Sequence, residues 1–256
     1  MIVNIIFWVW YSIGAILLLF TGVPDALEFS NGLFLILYAI YAVHLTTKAD
    51  FYSPAANRLF RNWKHGGLYL SIGLIWLSGV GIEMIGVQTG WPFGTYEYSD
   101  ILGYRLLGVP FTLGFAWIAV VYNASLMSPT IGRYGKLVRA LKVGLWTVIL
   151  DLVLDPVAYH RSFWTWAEQG GFYGVPWSNY LSWFIIGALM SLCVPLFKID
   201  LKTSRRAVRL YQMILLLFGL MGVKAGLLGI GLIAVTGMIM AEGSHRYAYR
   251  NEVNSI

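Results

Sequence analysis

Charge is what this chain has least of. Only 12% of its 256 residues are Asp, Glu, Lys or Arg, where a soluble domain carries about 25%. With a mean hydropathy of +0.68, that scarcity excludes an ordinary soluble domain and makes the chain an integral membrane protein. There is one cysteine, Cys193, so no intrachain disulfide can form. Set in an apolar run, it is expected to be a small buried packer. The four histidines, His44, His65, His160 and His245, are scattered, and no His/Cys cluster has zinc spacing. No Gly-x-Gly-x-x-Gly or Walker motif occurs. The first residues lack a basic n-region and a small-residue cleavage site, so the first apolar run is expected to be a retained span rather than a signal peptide. Repeats, low-complexity tracts and linkers are absent, and residues 1–256 are expected to form a single transmembrane domain.

What is present is a series of apolar runs long enough to cross a bilayer, which takes about 17 to 25 residues. They cover residues 5–22, 32–47, 67–87, 106–124, 137–154 and 178–197, followed by a longer region, 208–241. That last region is too long for one ordinary span and slightly short for two. Lys224, between Gly222 and Gly226, is a natural turn in it. The fold class expected is therefore all-α, a polytopic membrane bundle of about eight helices, with seven as the alternative.

Loop charges favour eight. Residues 22–31 hold Asp25 and Glu28 and no base. Basic residues gather in alternate connections: Lys48, Arg58, Arg61 and Lys64; Arg133, Lys136, Arg139 and Lys142; Lys198, Lys202, Arg205, Arg206 and Arg209. Basic connections face the cytoplasm. A hairpin at Lys224 places the tail, with Arg246 and Arg250, on that same side, so both termini are expected to be cytoplasmic in a multi-pass cell-membrane protein. The net charge of +6 is explained by these loops and does not point to nucleic acid.

The same topology gathers the acidic residues on the opposite, outer side. Glu83 falls near the end of the third span, and Asp151 and Asp155 near the end of the fifth. An Asp at the centre of a membrane helix costs roughly 2.5 to 3.5 kcal/mol on insertion scales, so several acids in an apolar chain suggest a polar pocket. Asp151 and Asp155, four residues apart, share one helix face, and Pro156 is expected to stop or kink that helix. Two adjacent carboxylates ionise together only at high cost, so one of such a pair keeps its proton. The alternative is a solvated helix end. For Glu83 the alternative is an interfacial carboxylate paired to Arg105 or Arg161.

Asp-x-x-x-Asp is also the spacing of metal-diphosphate sites. Those need a second acidic motif, for which only Glu97 and Asp100 are available. Aromatic residues cluster on the acidic side: Trp91, Phe93, Tyr96, Tyr98, Trp164, Trp166, Phe172, Tyr173, Trp177, Tyr180 and Trp183. Many suit an interfacial belt. They also suit a slot for a long apolar ligand whose reacting end carries positive charge, because aromatic faces stabilise cations by about 0.5 to 2 kcal/mol each.

Two blocks carry a resemblance. The first is EMIGVQTGWPFGTYEY at residues 83–98, followed by Leu102-Gly103, Leu107 to Pro110, and Ala116-Trp117. The second is DLVLDP at 151–156, Trp164, Trp166, YGVPWSN at 173–179, and Trp183. Together they resemble the carotenoid biosynthesis membrane-protein family that contains bisanhydrobacterioruberin hydratase and related acyclic carotenoid hydratases. The resemblance covers roughly residues 80 to 185. It implies addition of water to the terminal isoprenoid double bond of a linear carotenoid. Partners would be that carotenoid, the lipid bilayer and other carotenoid-pathway enzymes, and no nucleic acid.

That chemistry matches the residues. Protonating the less substituted alkene carbon leaves a tertiary cation, which water captures as a tertiary alcohol, with no call for a metal or a redox cofactor. Glu83, Asp151 and Asp155 are the candidate catalytic residues. Asp151 or Glu83 is expected to carry the proton, with Asp155 orienting water or holding the pair. Tyr96, Tyr98 and Asn179 are candidates to position water or fix a carboxylate. Trp91, Phe93, Trp164, Trp166, Tyr173 and Trp183 complete the candidate binding set. A carotenoid cyclase or isomerase would start from the same protonation and exclude water. A lipid-binding or transport protein would leave the polyene unchanged.

Overall fold

The computed structural model describes residues 2–51, 66–128, 135–168 and 170–253. Among them are eight α-helices: α1 (Ile2–Ile16), α2 (Phe29–Thr46), α3 (Gly66–Thr89), α4 (Leu113–Leu126), α5 (Gly135–His160), α6 (Trp177–Ser191), α7 (Leu201–Lys224) and α8 (Leu228–Val253). The protein is an all-helical membrane bundle. Five helices are long and apolar enough to cross a membrane: α1 with the π turn that extends it to Thr21, α2, α3, α7 and α8 up to Ala248. Large apolar side chains face outward along the bundle, among them Ile5, Ile13 and Phe20 on the first helix and Leu228, Leu232 and Ile239 on the last. Such a surface is stable against acyl chains and not against water.

The helix bounds follow the expected runs in most places, and the long last region is a hairpin. α7 ends at Lys224, Gly226 turns with φ +81°, and α8 begins at Leu228. Three expectations need correction. The fourth span starts at Leu113 rather than at 106, because Arg105–Leu106 (β3) and Val109–Pro110 (β4) form a tight hairpin. Leu107 and Gly108 both take positive φ at its tip, a conformation no helix contains. Pro156 does not stop α5, which runs four residues further to His160. Cys193 is exposed, in the turn just beyond α6. Arg58, Arg61, Lys64, His65 and Arg133 lie outside the described residues.

α4 is the axis of the bundle. At 14 residues it rises only about 21 Å, less than the roughly 30 Å of a hydrocarbon core. It packs against α2, α3, α5, α6 and α7, and every residue of it but Phe115 is buried. A short helix and irregular backbone are tolerated at membrane depth when protein surrounds them. Here α4 sits among longer helices.

Two distant connections are tied together directly. Tyr96–Tyr98 (β2) pairs antiparallel with Trp164–Trp166 (β5), with Tyr96 opposite Trp166 and Tyr98 opposite Trp164. Flanking bonds from Ala167 N–H to Thr95 O (2.9 Å) and Ser99 N–H to Phe163 O (3.0 Å) extend the ribbon. Side chains alternate across a strand, so Tyr96, Tyr98, Trp164 and Trp166 are buried on one face while Glu97 and Thr165 are exposed on the other. The ribbon is fixed to α6 by the Ser178 hydroxyl donating to Phe93 O (2.8 Å) and the Ser182 hydroxyl donating to Pro92 O (3.0 Å). A short strand pair, Asp50–Phe51 (β1) with Phe197–Lys198 (β6), lies elsewhere.

Candidate active site

Glu83 is buried, 2% exposed, and its partners follow from the face of α3 that carries it. Gly79 and Gly86 lie four residues before and three after, on the same face. A Cβ on Gly79 would come within 2.6 Å of Trp117, and one on Gly86 within 2.7 Å of both Phe93 and the Tyr96 hydroxyl. The two glycines therefore let an indole from α4 and the ribbon's tyrosines close on the carboxylate. Tyr96 and Tyr98 donate to Oε2 at 2.5 and 2.8 Å, and the Trp117 indole N–H donates to Oε1 at 3.1 Å. The interfacial alternative for Glu83 does not hold: the carboxylate is buried among neutral donors rather than paired to Arg105 or Arg161, and Arg105 pairs with Asp100 (2.8 Å) and donates to Tyr98 O.

Asp151 and Asp155 are also buried, at 1% and 3% exposure. α6 brings Asn179 against both: its amide nitrogen donates to Asp151 Oδ2 at 3.0 Å and to Asp155 Oδ2 at 2.6 Å. Both amide hydrogens are thus used, one on each acid. Asp151 Oδ1 is buried without a hydrogen-bond partner. The solvated-helix-end alternative is excluded. The ion pairs found among the described residues involve Arg105, Arg205 and Arg246, not these acids.

Two of the three acids border a cavity of about 300 Å³ with mostly apolar walls. Glu83, Asp155, Asn179, Tyr96, Tyr98, Trp164, Trp166, Phe93 and Trp183 line it, whereas Asp151 does not and sits behind Asp155. Trp183 stacks on Trp117 with centroids 4.2 Å apart and planes 20° apart. The facing walls come from α1, the connection after it, the start of α2, and α7. Ile13, Leu27 and Phe29 both line the cavity and are exposed on the outer surface. They mark a mouth on the lipid-facing side.

Two of the expected binding residues are elsewhere. Trp91 is 68% exposed at the tip of its loop. Tyr173 is 40% exposed, and its hydroxyl accepts from Gly229 N–H (3.2 Å). Neither lines the cavity. Glu97 is exposed and Asp100 is exposed and paired, so no second acidic motif faces the aspartates. Sequence reasoning missed Trp117 as a site residue, because a tryptophan in an apolar span looks like any packer. Its signal was Gly79, four residues before Glu83. The hydroxyls of Tyr96 and Tyr98 donate to Glu83 and the amide nitrogen of Asn179 donates to both aspartates, so all three hold carboxylates, one of the two roles expected of them.

Comparison with known proteins identifies relatives of the chain. A family model described as carotenoid biosynthesis protein matches residues 30–242. The bisanhydrobacterioruberin hydratase of Haloarcula japonica is 34% identical over 204 residues, covering 77% of this chain. The chain spans 65% of the length of that relative. No solved structure matches the chain.

Proposed function

The chain belongs to the carotenoid biosynthesis protein family, and on that premise we propose that it adds water to the terminal isoprenoid double bond of a linear carotenoid. The observation that carries this reading is the placement of two buried acids, Glu83 and Asp155, on an otherwise apolar cavity that opens toward lipid. A polyene is too apolar to arrive through water, so its route in faces acyl chains.

The two acids have different surroundings, which supports different roles. Glu83 receives three hydrogen bonds from neutral donors, the surroundings that suit a carboxylate anion. Asp155 and Asp151 share one amide and have no cation among those donors, which favours a proton held between the two. Asp155, facing the cavity, is therefore the proton donor, with Asp151 as its proton-sharing partner. This exchanges the roles that spacing alone suggests for the two aspartates. Protonation at the less substituted alkene carbon leaves the positive charge on the tertiary carbon. The anionic Glu83 and the face of Trp183, which is backed by Trp117, stabilise that charge. Water then adds to the cation and returns a proton to Asp155, so alkene plus water gives a tertiary alcohol.

Gly14 gives a test of the cavity. It lines the wall, and no atom lies within 4 Å of a Cβ built on it. Gly14→Phe fills that space, and retention of polyene by the purified protein is expected to fall by at least about tenfold, roughly 1.4 kcal/mol. Gly73→Phe, at an equally open position on α3 away from the cavity, is expected to retain polyene as the unaltered protein does. Equal retention by both variants would remove the cavity from the account.

In the cell membrane, both termini are placed on the cytoplasmic side, with the acids in the outer half of the bilayer. Lys136, Arg139 and Lys142 at the start of α5 and Lys202, Arg205 and Arg206 at the start of α7 support this orientation. A reporter fused after Ile256 should read as cytoplasmic, and an external reading would reverse the assignment.

A further inference from the structure

At the end of α2 opposite the cavity mouth, two connections far apart in sequence meet. β1 pairs with β6 and sets Asp50 opposite Lys198, so the chain leaving α2 lies against the chain entering α7. Lys48 thereby comes within electrostatic reach of Lys202 and Arg206, and Asp200 within reach of the same two. Lys48 and Lys202 are exposed and Arg206 is half-buried. Among the described residues, no ion pair holds any of these three side chains, whereas the neighbouring Arg205 is paired to Glu242. Asp200 supplies negative charge here, but its carboxylate is committed as the cap of α7, accepting from Thr203 N–H at 2.7 Å. Residues 52–65, the rest of the connection after β1, contain no Asp or Glu and bring no neutralising charge. Cations gathered in this way repel one another. The Lys48 ammonium is held below its usual range by burial and then by Arg206, with Asp200 opposing. Lys202 and Arg206 also stand in the first two turns of α7, where the helix dipole disfavours positive charge. The bias of basic residues toward one side of a membrane explains cations in both connections, but not their convergence on one place.

We propose that Lys48, Lys202 and Arg206 form a binding site for the phosphate of an anionic phospholipid. A phosphate between them relieves their mutual repulsion and suits the N-terminal end of α7. Arg206 brings a guanidinium fork that matches phosphate oxygens, and the two lysines bring point charges. The position selects a lipid over a free anion. α2 and α7 are both long and apolar enough to span the membrane, and the cluster lies just beyond the last residue of α2, Thr46, and at the start of α7, Leu201. That is the level of the headgroups, where basic pockets between membrane helices hold anionic lipid. Ile40, 45% exposed, stands two turns before Lys48 on α2 and continues the site toward the acyl chains. A phosphate carrying acyl chains fits both the cations and this apolar face, whereas a free phosphate fits only the cations. Bound there, the lipid bridges α2 and α7.

The test uses purified protein stripped of lipid and titrated in detergent with phosphatidylglycerol, phosphatidylcholine or inorganic phosphate. Binding is read from the rise in the temperature of thermal unfolding, since a ligand held by the folded state stabilises it. Phosphatidylglycerol should raise that temperature, and the other two should leave it nearly unchanged. The double variant Lys48→Gln with Arg206→Gln should bind phosphatidylglycerol at least about tenfold more weakly. Lys136→Gln with Lys142→Gln removes as much charge from the start of α5 and should weaken binding less than about threefold. Without lipid, the Lys48 and Arg206 variant should unfold at the same or a higher temperature than the unaltered protein, because it removes like charges that face each other. That reading distinguishes a lipid site from a structural cluster. Equal weakening in the two double variants overturns the site in favour of diffuse attraction to the whole surface. Equal stabilisation by phosphatidylcholine overturns it too, and equal stabilisation by inorganic phosphate replaces the lipid with a free anion. A Lys48 and Arg206 variant that unfolds at a lower temperature without lipid makes these cations structural and likewise overturns the proposal.

Discussion

Asp155→Asn is expected to abolish hydrated carotenoid while the protein inserts and accumulates normally. The replacement keeps the shape of the side chain and its place against Asn179, which lies 2.6 Å from Asp155 Oδ2, but it removes the transferable proton. Loss of a general acid costs about 10²- to 10⁴-fold in rate. In deuterium oxide, labelling of the alkene should disappear in step with hydration, because both begin with the same protonation. Asp151→Asn should be milder, since Asp151 does not line the cavity and acts through its partner. Quantifying alcohol and label from equal amounts of purified protein checks both statements. An Asp155→Asn protein within a fewfold of normal rate would show that the proton comes from elsewhere on the wall.

Glu83→Gln separates charge from position. Glutamine has one acceptor oxygen: turned toward Tyr96 and Tyr98 it keeps both of their hydrogen bonds and loses the one from Trp117, so most of the packing made possible by Gly79 and Gly86 survives, but the negative charge facing the cation is gone. Removal of one preorganised electrostatic group from a buried site costs about 10²- to 10³-fold in turnover. Bound polyene should be retained, because the apolar walls that hold the chain are untouched. The measurement is turnover alongside polyene retention. Loss of both together would mean that Glu83 holds the fold rather than the cation. Turnover kept at the normal rate would mean that the aromatic face of Trp183 suffices.

The helical bundle was legible because it rests on long-range composition. Apolar runs and alternating basic connections locate most of α1–α8, and the Gly-flanked Lys224 marks the last turn. The three acids were legible because charge at membrane depth is conspicuous wherever it occurs. What could not be read was anything made by strand geometry. Nothing in a Gly-Trp-Pro-Phe-Gly run signals that Tyr96 and Tyr98 pair with Trp166 and Trp164 across more than 60 residues. That pairing decides which aromatics face inward and which, like Trp91, remain outside. Tyr173 was placed at the site by its neighbourhood in sequence, but Gly170 and Gly174 bridge to each other and fold its segment into a local turn. That Asp155 rather than Asp151 borders the cavity was hidden for a similar reason. Spacing puts both on one helix face and cannot say which of them borders empty space. Of the two effects expected of Pro156, the stop does not occur: α5 continues through it with Val157 and Ala158 buried against the bundle.

The account stands most directly on the mass of the pigment made by a host that produces an acyclic carotenoid, with and without this gene. With the gene, the carotenoid should gain the mass of one water for each terminal double bond hydrated, with a tertiary alcohol at that end, and the same host carrying Asp155→Asn should show no gain. A pigment of unchanged mass, whether cyclised, isomerised or simply bound, would contradict the account.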